Sequence, residues 1–320
     1  MKRVLGVLRS PAVKWAFLAV ALGFAAWFVA SRWEEIAAAL ARLPWWALIV
    51  ALLASAVYVG LTLEAWRGIV RDLGHPLAVR PAVALFGVSQ LGKYIPGGVW
   101  NIAAAADLGR AHGIPARHSV AAMTIALLIS LVSGVGVGAL GFAVAPTPAL
   151  ADWAWLMWFG VPLLVLLIPP VLNRLIALAW RILRLEPLDT AGGSLSTRGV
   201  AVATAWSLLA WIVAGVAVAA LAIGLGAPAT WHTVVQCIGG YALAWVIGFL
   251  FVIAPAGAGV RELVLAAALA GTLASAEIVT LVLLSRVLLT AVDLGFAAVG
   301  GVETRLARRR LGRTGSAEPA

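Results

Sequence analysis

Runs of apolar residues long enough to cross a bilayer constrain this chain more than any other feature. A helix rises 1.5 Å per residue, so about 20 apolar residues span a hydrocarbon core of ~30 Å. Such runs lie at Trp15–Ser31, Trp45–Trp66, Ser119–Val144, Trp153–Leu172, Gly199–Leu225 and Ile278–Gly301. The residues are 63% hydrophobic and 11% charged, against roughly 45–50% and about 25% in soluble domains. An ordinary soluble globule is excluded, and so is a disordered chain, which would be poor in apolar residues. The 320 residues therefore read as one all-α polytopic integral membrane domain over 1–302, with halves of about 1–144 and 153–302.

The net charge of +10 is explained by where the basic residues fall. They occupy alternate gaps between the runs: Lys2, Arg3, Arg9 and Lys14; Arg67, Arg71 and Arg80; Arg174, Arg181, Arg184 and Arg198; Arg305, Arg308, Arg309, Arg310 and Arg313. The gap 32–44 balances Arg32 and Arg42 against Glu34 and Glu35, and the gaps 145–152 and 226–231 hold no lysine or arginine. The positive-inside rule then places both termini in the cytoplasm, in a plasma (inner) membrane. The basic clusters would attract anionic lipid of the inner leaflet. No soluble basic patch exists for nucleic acid, so none is expected as a partner. The first run exceeds the apolar core of a cleaved signal peptide, and bulky Trp33 follows it, so it reads as a retained span. The stretch from Asn173 to Leu185 is amphipathic and reads as a helix lying on the cytoplasmic surface. The tail 303–320 is expected to be disordered. Trp15, Trp33, Trp45, Trp46, Trp66, Trp153, Trp155 and Trp231 flank apolar runs, as interfacial aromatic belts do.

Two more hydrophobic segments are interrupted. In 81–111 the triplet Pro96-Gly97-Gly98 cannot continue a helix. Its arms of about 13–15 residues reach only ~20 Å, too short to cross. In 232–272 the break is Pro255–Gly259, and the first arm, at about 22 residues, is long enough to span fully. The chain thus reads as about six full spans plus two broken re-entrant helical hairpins, one opening to each side. Each half runs span, span, broken hairpin, span, the first starting inside and the second outside. That is an inverted-topology repeat, a transporter plan with sites near the midplane. It rests on architecture, since the halves share little residue identity. Irregular backbone is not tolerated in lipid, so both tips must be buried in protein or line a wet cavity.

Charges inside apolar segments are costly and mark candidate sites. Lys93 lies one turn before the first tip. It either holds a lipid phosphate with the free N–H groups of the following helix, or ties tip carbonyls. Arg261 and Glu262 open the second short arm. Arg261 suits phosphate by its bidentate fork, and Glu262 suits a helix N-terminus, orients Arg261 or Lys93, or carries a coupling proton. Arg286, Thr290 and Asp293 share one helix face. Arg286 and Asp293 form either an ion pair within the bundle or part of a stripe lining a path. Gln90 and Asn101 flank the first tip. Gly134, Gly136, Gly138 and Gly141 read as close helix packing. Cys237, the single cysteine, allows no internal disulfide. The four histidines lack ligand spacing, so no metal or other cofactor is expected.

At LGKYIPGGVW (Leu91–Trp100) and PAGAGVRE (Pro255–Glu262) the chain resembles the lysylphosphatidylglycerol synthase transmembrane-region family, also called flippase-like. Lys93, Tyr94, Pro96 and Gly97 match its K-x-x-P-G segment. Pro255, Gly257, Gly259, Arg261 and Glu262 match its P-G-G-x-G-x-R-E-like segment, with Ala256 and Ala258 as small variants. The resemblance covers nearly the whole chain. It implies movement of lipids between leaflets, such as aminoacylated phosphatidylglycerol or polyprenyl-linked lipids. The partner would be a membrane phospholipid or lipid-linked substrate. Bifunctional members carry a soluble aminoacyl-transfer domain after the membrane part; this sequence ends at Ala320, so lysyl transfer is not implied. No GxSxG or HExxH is present, and the expectation is a transporter and not an enzyme. A lipid-modifying enzyme built on carboxylates and an ion-coupled small-anion carrier are the alternatives. Without GxxxxGK[ST], transport would be passive or driven by an ion gradient.

Overall fold

A polypeptide inside lipid must satisfy its backbone N–H and C=O groups internally, and helices do so within each segment. The computed structural model describes residue 30 and residues 33–94, 100–147, 155, 162–182, 195–251, 257 and 259–314. Among these the chain folds into α1 (Trp33–Arg42), α2 (Trp45–Asp72), α3 (Val79–Gln90), α4 (Trp100–Arg110), α5 (Ala116–Val144), α6 (Pro169–Ile182), α7 (Thr197–Gly224), α8 (Trp231–Leu250), α9 (Val260–Leu269) and α10 (Ser275–Thr314). Starts are set locally. Pro44 and Pro115 stand immediately before α2 and α5, where a missing N–H costs nothing. Ser196 Oγ accepts from Gly199 N at 2.9 Å and Thr230 Oγ1 from Thr233 N at 3.3 Å, capping α7 and α8.

Among the described residues five helices are long and apolar enough to cross a membrane: α2, α5, α7, α8 and α10 from Ser275 to Val302. The six expected spans are corrected at one place. Trp231–Leu250, expected as a hairpin arm long enough to span, is of spanning length. The run Trp153–Leu172 is not one continuous helix. Its described end is a 3₁₀ turn, Leu164–Leu167, with Ile168 extended and α6 starting at Pro169. The Pro169-Pro170 pair removes two donors there, so an unbroken helix is not available. The amphipathic helix expected from Asn173 therefore begins four residues earlier. The expected span Trp15–Ser31, apart from Ala30, lies outside the described residues. Helix α10 continues to Thr314, past the boundary at 303 where a disordered tail was expected.

The long helices pack antiparallel in pairs. Asp72 at the end of α2 accepts from Ser196 N at 2.7 Å and from Ser196 Oγ at 2.5 Å. At the other end Gly224 of α7 lies against Ala47 of α2. Helix α5 crosses α8 where Gly141 meets the Gly239 main chain, and Gly134 further along meets Val246. Helix α3 crosses α10 where Gly87 meets the Phe296 carbonyl and Gly300 meets the Ala84 main chain. The glycine run in α5 is close packing, as its spacing suggests. Trp211 anchors the centre; its Nε1 donates to Ser130 O at 3.2 Å and Ser133 Oγ at 3.1 Å across α5 and α7.

Among the described residues, three of the helices too short to cross belong to the interrupted segments. At 1.5 Å per residue, α3, α4 and α9 reach only about 15–18 Å. Helix α4 starts where the main chain of Trp100 and Asn101 packs on Gly92, and it ends with Gly109 against Ser119 near the start of α5. Helix α9 runs back along α8: Gly248 packs on Arg261 and Gly240 on Ala268. Buried Gln236 closes the pair, its Nε2 donating to Ala268 O at 2.9 Å and its Oε1 accepting from Thr272 at 2.8 Å.

The aromatic residues divide by depth. Trp33, Trp45, Trp46, Trp155 and Trp231 are exposed, as an interfacial belt requires. Trp66, expected among them, is a core residue instead, only 1% exposed and packed on Phe86. Trp15 and Trp153 lie outside the described residues.

Candidate functional site

The charged groups of the interrupted segments converge on one face of α10. The 3₁₀ turn Leu91–Tyr94 extends α3 toward the first break and carries Lys93 and Tyr94. Lys93 Nζ stands 2.7 Å from Asp293 Oδ2. The Tyr94 hydroxyl donates to that same oxygen at 2.6 Å and lies 3.3 Å from Thr290 Oγ1. The Asp293 carboxylate is fully enclosed, while 29% of the Lys93 side chain remains open. The other oxygen, Oδ1, is buried with no hydrogen-bond partner among the described residues.

The second break meets α10 at Arg286. Arg286 Nε lies 2.9 Å from Glu262 Oε1. Glu262 Oε2 accepts from Gly259 N at 2.6 Å, which holds the first turn of α9 and places a carboxylate at the positive end of that helix. Gly257 and Gly259 have φ of 70° and 86°. Residues with a Cβ rarely adopt that region, which accounts for the small residues of the motif. Gly257 also packs directly on the Gly248 main chain, so a side chain there would collide.

Arg261, the neighbour of Glu262, points elsewhere. Its guanidinium carbon lies 4.6 Å above the centre of the Tyr241 ring, a cation–π arrangement. Tyr58 stands edge-on to Tyr241 at 6.2 Å, and both approach Trp211. Beside these tyrosines lies a cavity of about 10 Å³, lined partly by Ser55 and Ser285, which is room for about one water.

The site residues expected from the sequence divide as follows. Lys93, Tyr94, Glu262, Arg286 and Asp293 are brought together on α10. Arg261 stacks on Tyr241 close by. Asn101 is half-buried in the first turn of α4 against Gly92. Gly257 and Gly259 shape the second break. Pro96, Gly97 and Pro255 lie outside the described residues. One expectation is corrected: Arg286 and Asp293 do not pair with each other. Seven residues apart, they stand about 10.5 Å apart along the axis, and each binds a different break. Glu262 likewise orients neither Arg261 nor Lys93; it holds Arg286. Tyr58 and Tyr241 were missed. The signal was available: the chain has three tyrosines, each lies in an apolar segment, and a buried Tyr needs a polar partner.

Among the described residues no three His, Cys, Asp or Glu side chains gather closely enough to hold a metal ion. What the arrangement can do is receive or release charge at two points along α10, since an ion pair that is a quarter open can exchange partners. No curated protein and no solved structure matches the chain. The two interrupted segments, joined by their ion pairs to a single apolar helix, lie within residues 14–296, which match the family model described as Lysylphosphatidylglycerol synthase TM region, and the chain belongs to that membrane-protein family.

Proposed function

We propose that the protein moves a phosphate-bearing lipid between the leaflets of a plasma membrane, with its site at the two breaks. The observation that carries this reading is the double attachment of α10. Asp293 and Thr290 hold the first break through Lys93 and Tyr94, and Arg286 holds the second through Glu262. Cations partly open beside broken helices suit a headgroup phosphate, which Arg and a helix N-terminus both favour. A lipid tail needs no enclosure, since it stays in the bilayer while the polar head crosses.

The packing supports an inverted repeat behind this site. Exchange of the halves pairs α2 with α7, α3 with α8, α4 with α9 and α5 with α10. Under that exchange the α3–α10 contact becomes the α8–α5 contact, and both are antiparallel crossings built on glycine. The α2–α7 pair maps onto itself and is antiparallel, as an inverted repeat demands. Short α4 and α9 each return toward the end from which the preceding helix entered, which supports two re-entrant hairpins. Helix α8 is the longer arm. With basic gaps inward, both termini are cytoplasmic. In such folds, motion of one half against the other exposes the midplane to each side alternately.

The reading is tested by reconstituting the purified chain into vesicles and following leaflet exchange of fluorescent phosphatidylglycerol and its lysyl form, with and without a proton gradient. Exchange that depends on Lys93 and Arg261 supports it. No exchange of any lipid, with a covalent lipid product or anion flux in its place, overturns it in favour of a membrane-embedded enzyme or a small-anion carrier.

A further inference from the structure

Five charged side chains occupy the two breaks and the helix face that joins them: Lys93, Arg261 and Arg286 against Glu262 and Asp293. Two of the cations are neutralised within the cluster, Lys93 by Asp293 at 2.7 Å and Arg286 by Glu262 at 2.9 Å. Arg261 is the remaining one. Among the described residues no carboxylate lies within ion-pair distance of it. Its partner is the face of Tyr241. The break residues 95–99, 252–256 and 258 carry no ionisable side chain. The cluster therefore holds one positive charge more than negative.

An uncompensated charge in a membrane interior is costly, and a ring quadrupole offsets only part of it. Resting on the lipid-translocation reading, we propose that the cluster selects a headgroup of single net negative charge, a phosphodiester monoanion, and that Arg261 receives it. One such group brings the cluster to neutrality with both ion pairs intact. A diphosphate brings further negative charge that balances only if Asp293 or Glu262 is expelled from its pair. A zwitterionic headgroup leaves Arg261 uncompensated, and a cationic one adds to the excess. The position of Arg261 fits the role. It lies in the first turn of α9, where backbone N–H groups lack helical partners and the dipole favours an anion. The Gly259 N–H is already taken by Glu262, so the guanidinium fork supplies the main donors.

The test compares four fluorescent lipids with the full chain in vesicles of phosphatidylcholine: phosphatidylglycerol, phosphatidylcholine, lysyl-phosphatidylglycerol and a polyprenyl diphosphate. Thermal stabilisation of the detergent-solubilised chain by short-chain forms of the same headgroups is read in parallel. Phosphatidylglycerol is expected to exchange about tenfold faster than the other three, the worth of one charge-assisted hydrogen bond, and to stabilise most. Arg261→Lys keeps that order. Arg261→Gln removes the excess charge and levels phosphatidylglycerol with phosphatidylcholine. Glu262→Gln, which retains an acceptor for Gly259, raises the excess and shifts preference toward the diphosphate. Equal rates for all four lipids, or an order unchanged in Arg261→Gln and Glu262→Gln, would overturn the charge assignment while leaving translocation standing. Selective stabilisation by phosphatidylglycerol, lost in Arg261→Gln, with no exchange of any lipid, would leave the charge assignment standing and overturn translocation. No selectivity in either readout overturns the assignment.

Discussion

Lys93 and Asp293 come from opposite halves of the chain and meet at 2.7 Å, the carboxylate wholly enclosed and the ammonium partly open. The contact joins a break in one half to a spanning helix of the other. Tyr94 donates to the same carboxylate oxygen, so Asp293 binds the break through two consecutive residues. The asymmetry of exposure matters. Lys93 can turn outward to another anion, whereas Asp293 cannot leave its place without carrying a charge through apolar surroundings.

Removing one partner should therefore cost more than removing both. Lys93→Ala leaves Asp293 held only by Tyr94 and should lower stability by about 2–4 kcal/mol, below the ~3–5 of a fully buried pair because Lys93 is part open. The double variant Lys93→Met, Asp293→Leu should recover most of that loss, because apolar replacement of a buried pair is often neutral. Thermal unfolding in detergent of the wild type, Lys93→Met, Asp293→Leu and the double variant gives the cycle. A double variant as unstable as the sum of the singles would show that the two residues do not interact. The recovered double variant should still fail in lipid exchange, which separates the structural role from the functional one.

The α5–α8 crossing offers a test of packing by glycine. A Cβ at Gly141 would stand 2.7 Å from the Gly239 Cα, whereas one at Gly60 in α2 would meet nothing within 4 Å. Gly141→Ala should destabilise by about 1–3 kcal/mol through forced separation of the helices. Gly60→Ala should be neutral or stabilising by up to ~1 kcal/mol, because Ala is the better helix former. Melting temperatures that move together for the two variants would refute the close crossing.

Much of this was legible in the residues, and the gaps have physical causes. Apolar length and charge spacing locate α5, α7, the spanning part of α10 (Ser275–Val302) and the start of α2 closely, because the bilayer enforces both. Pro-Gly clusters mark both breaks, because a proline without its N–H cannot continue a helix, and the positive φ of Gly257 and Gly259 accounts for the glycines of the second. Partner choice was not legible. Arg286 and Asp293 share a face and opposite charge, which suggests a mutual pair; yet each is claimed by a group far away in sequence, Glu262 and Lys93, that local spacing cannot reveal. Pro169-Pro170 was read through as part of an apolar run because mean hydropathy ignores the lost hydrogen bonds. Trp66 was read as belt since it ends a run, although α2 continues to Asp72 and carries it into the core.

Stability should respond to pH through the loop after α2. His75 lies there with its ring 4.8 Å from that of His118. Burial, and then the neighbouring imidazole, hold its pKa below the usual 6.5. Below about pH 6.5 the folded chain then binds fewer protons than the unfolded one, so stability falls as the pH falls. The contribution is complete above that value and is lost as the pH drops to the depressed folded pKa. Melting temperature should decline between about pH 8 and about pH 5, and His75→Gln should remove part of the slope. The effect is small, since the imidazole is only half-buried. An unchanged slope in His75→Gln would assign the decline to other groups.

Sidedness provides the last prediction and tests both hairpins at once. Cys237 is buried and is the single native cysteine, so it should not react with a membrane-impermeant maleimide and need not be replaced. Pro76 and His112 are exposed and flank the α3–α4 segment, while Ala229 and Ser275 are exposed and flank the α8–α9 segment. If each segment returns to the face from which it entered, Pro76→Cys and His112→Cys label from one side of the membrane. Ala229→Cys and Ser275→Cys then label from the other. The positive-inside rule makes the first pair cytoplasmic, reactive only after intact cells are opened, and the second pair reactive in intact cells. A segment that crosses fully would split its own pair between the two sides. Splitting of the 76/112 pair would be the harder result to reconcile, because two helices of 12 and 11 residues would have to traverse ~30 Å in series while Gly92 still touches Asn101 and Gly109 still touches Ser119. Splitting of the 229/275 pair would instead separate α9 from α8 and break the buried Gln236 bonds to Ala268 and Thr272.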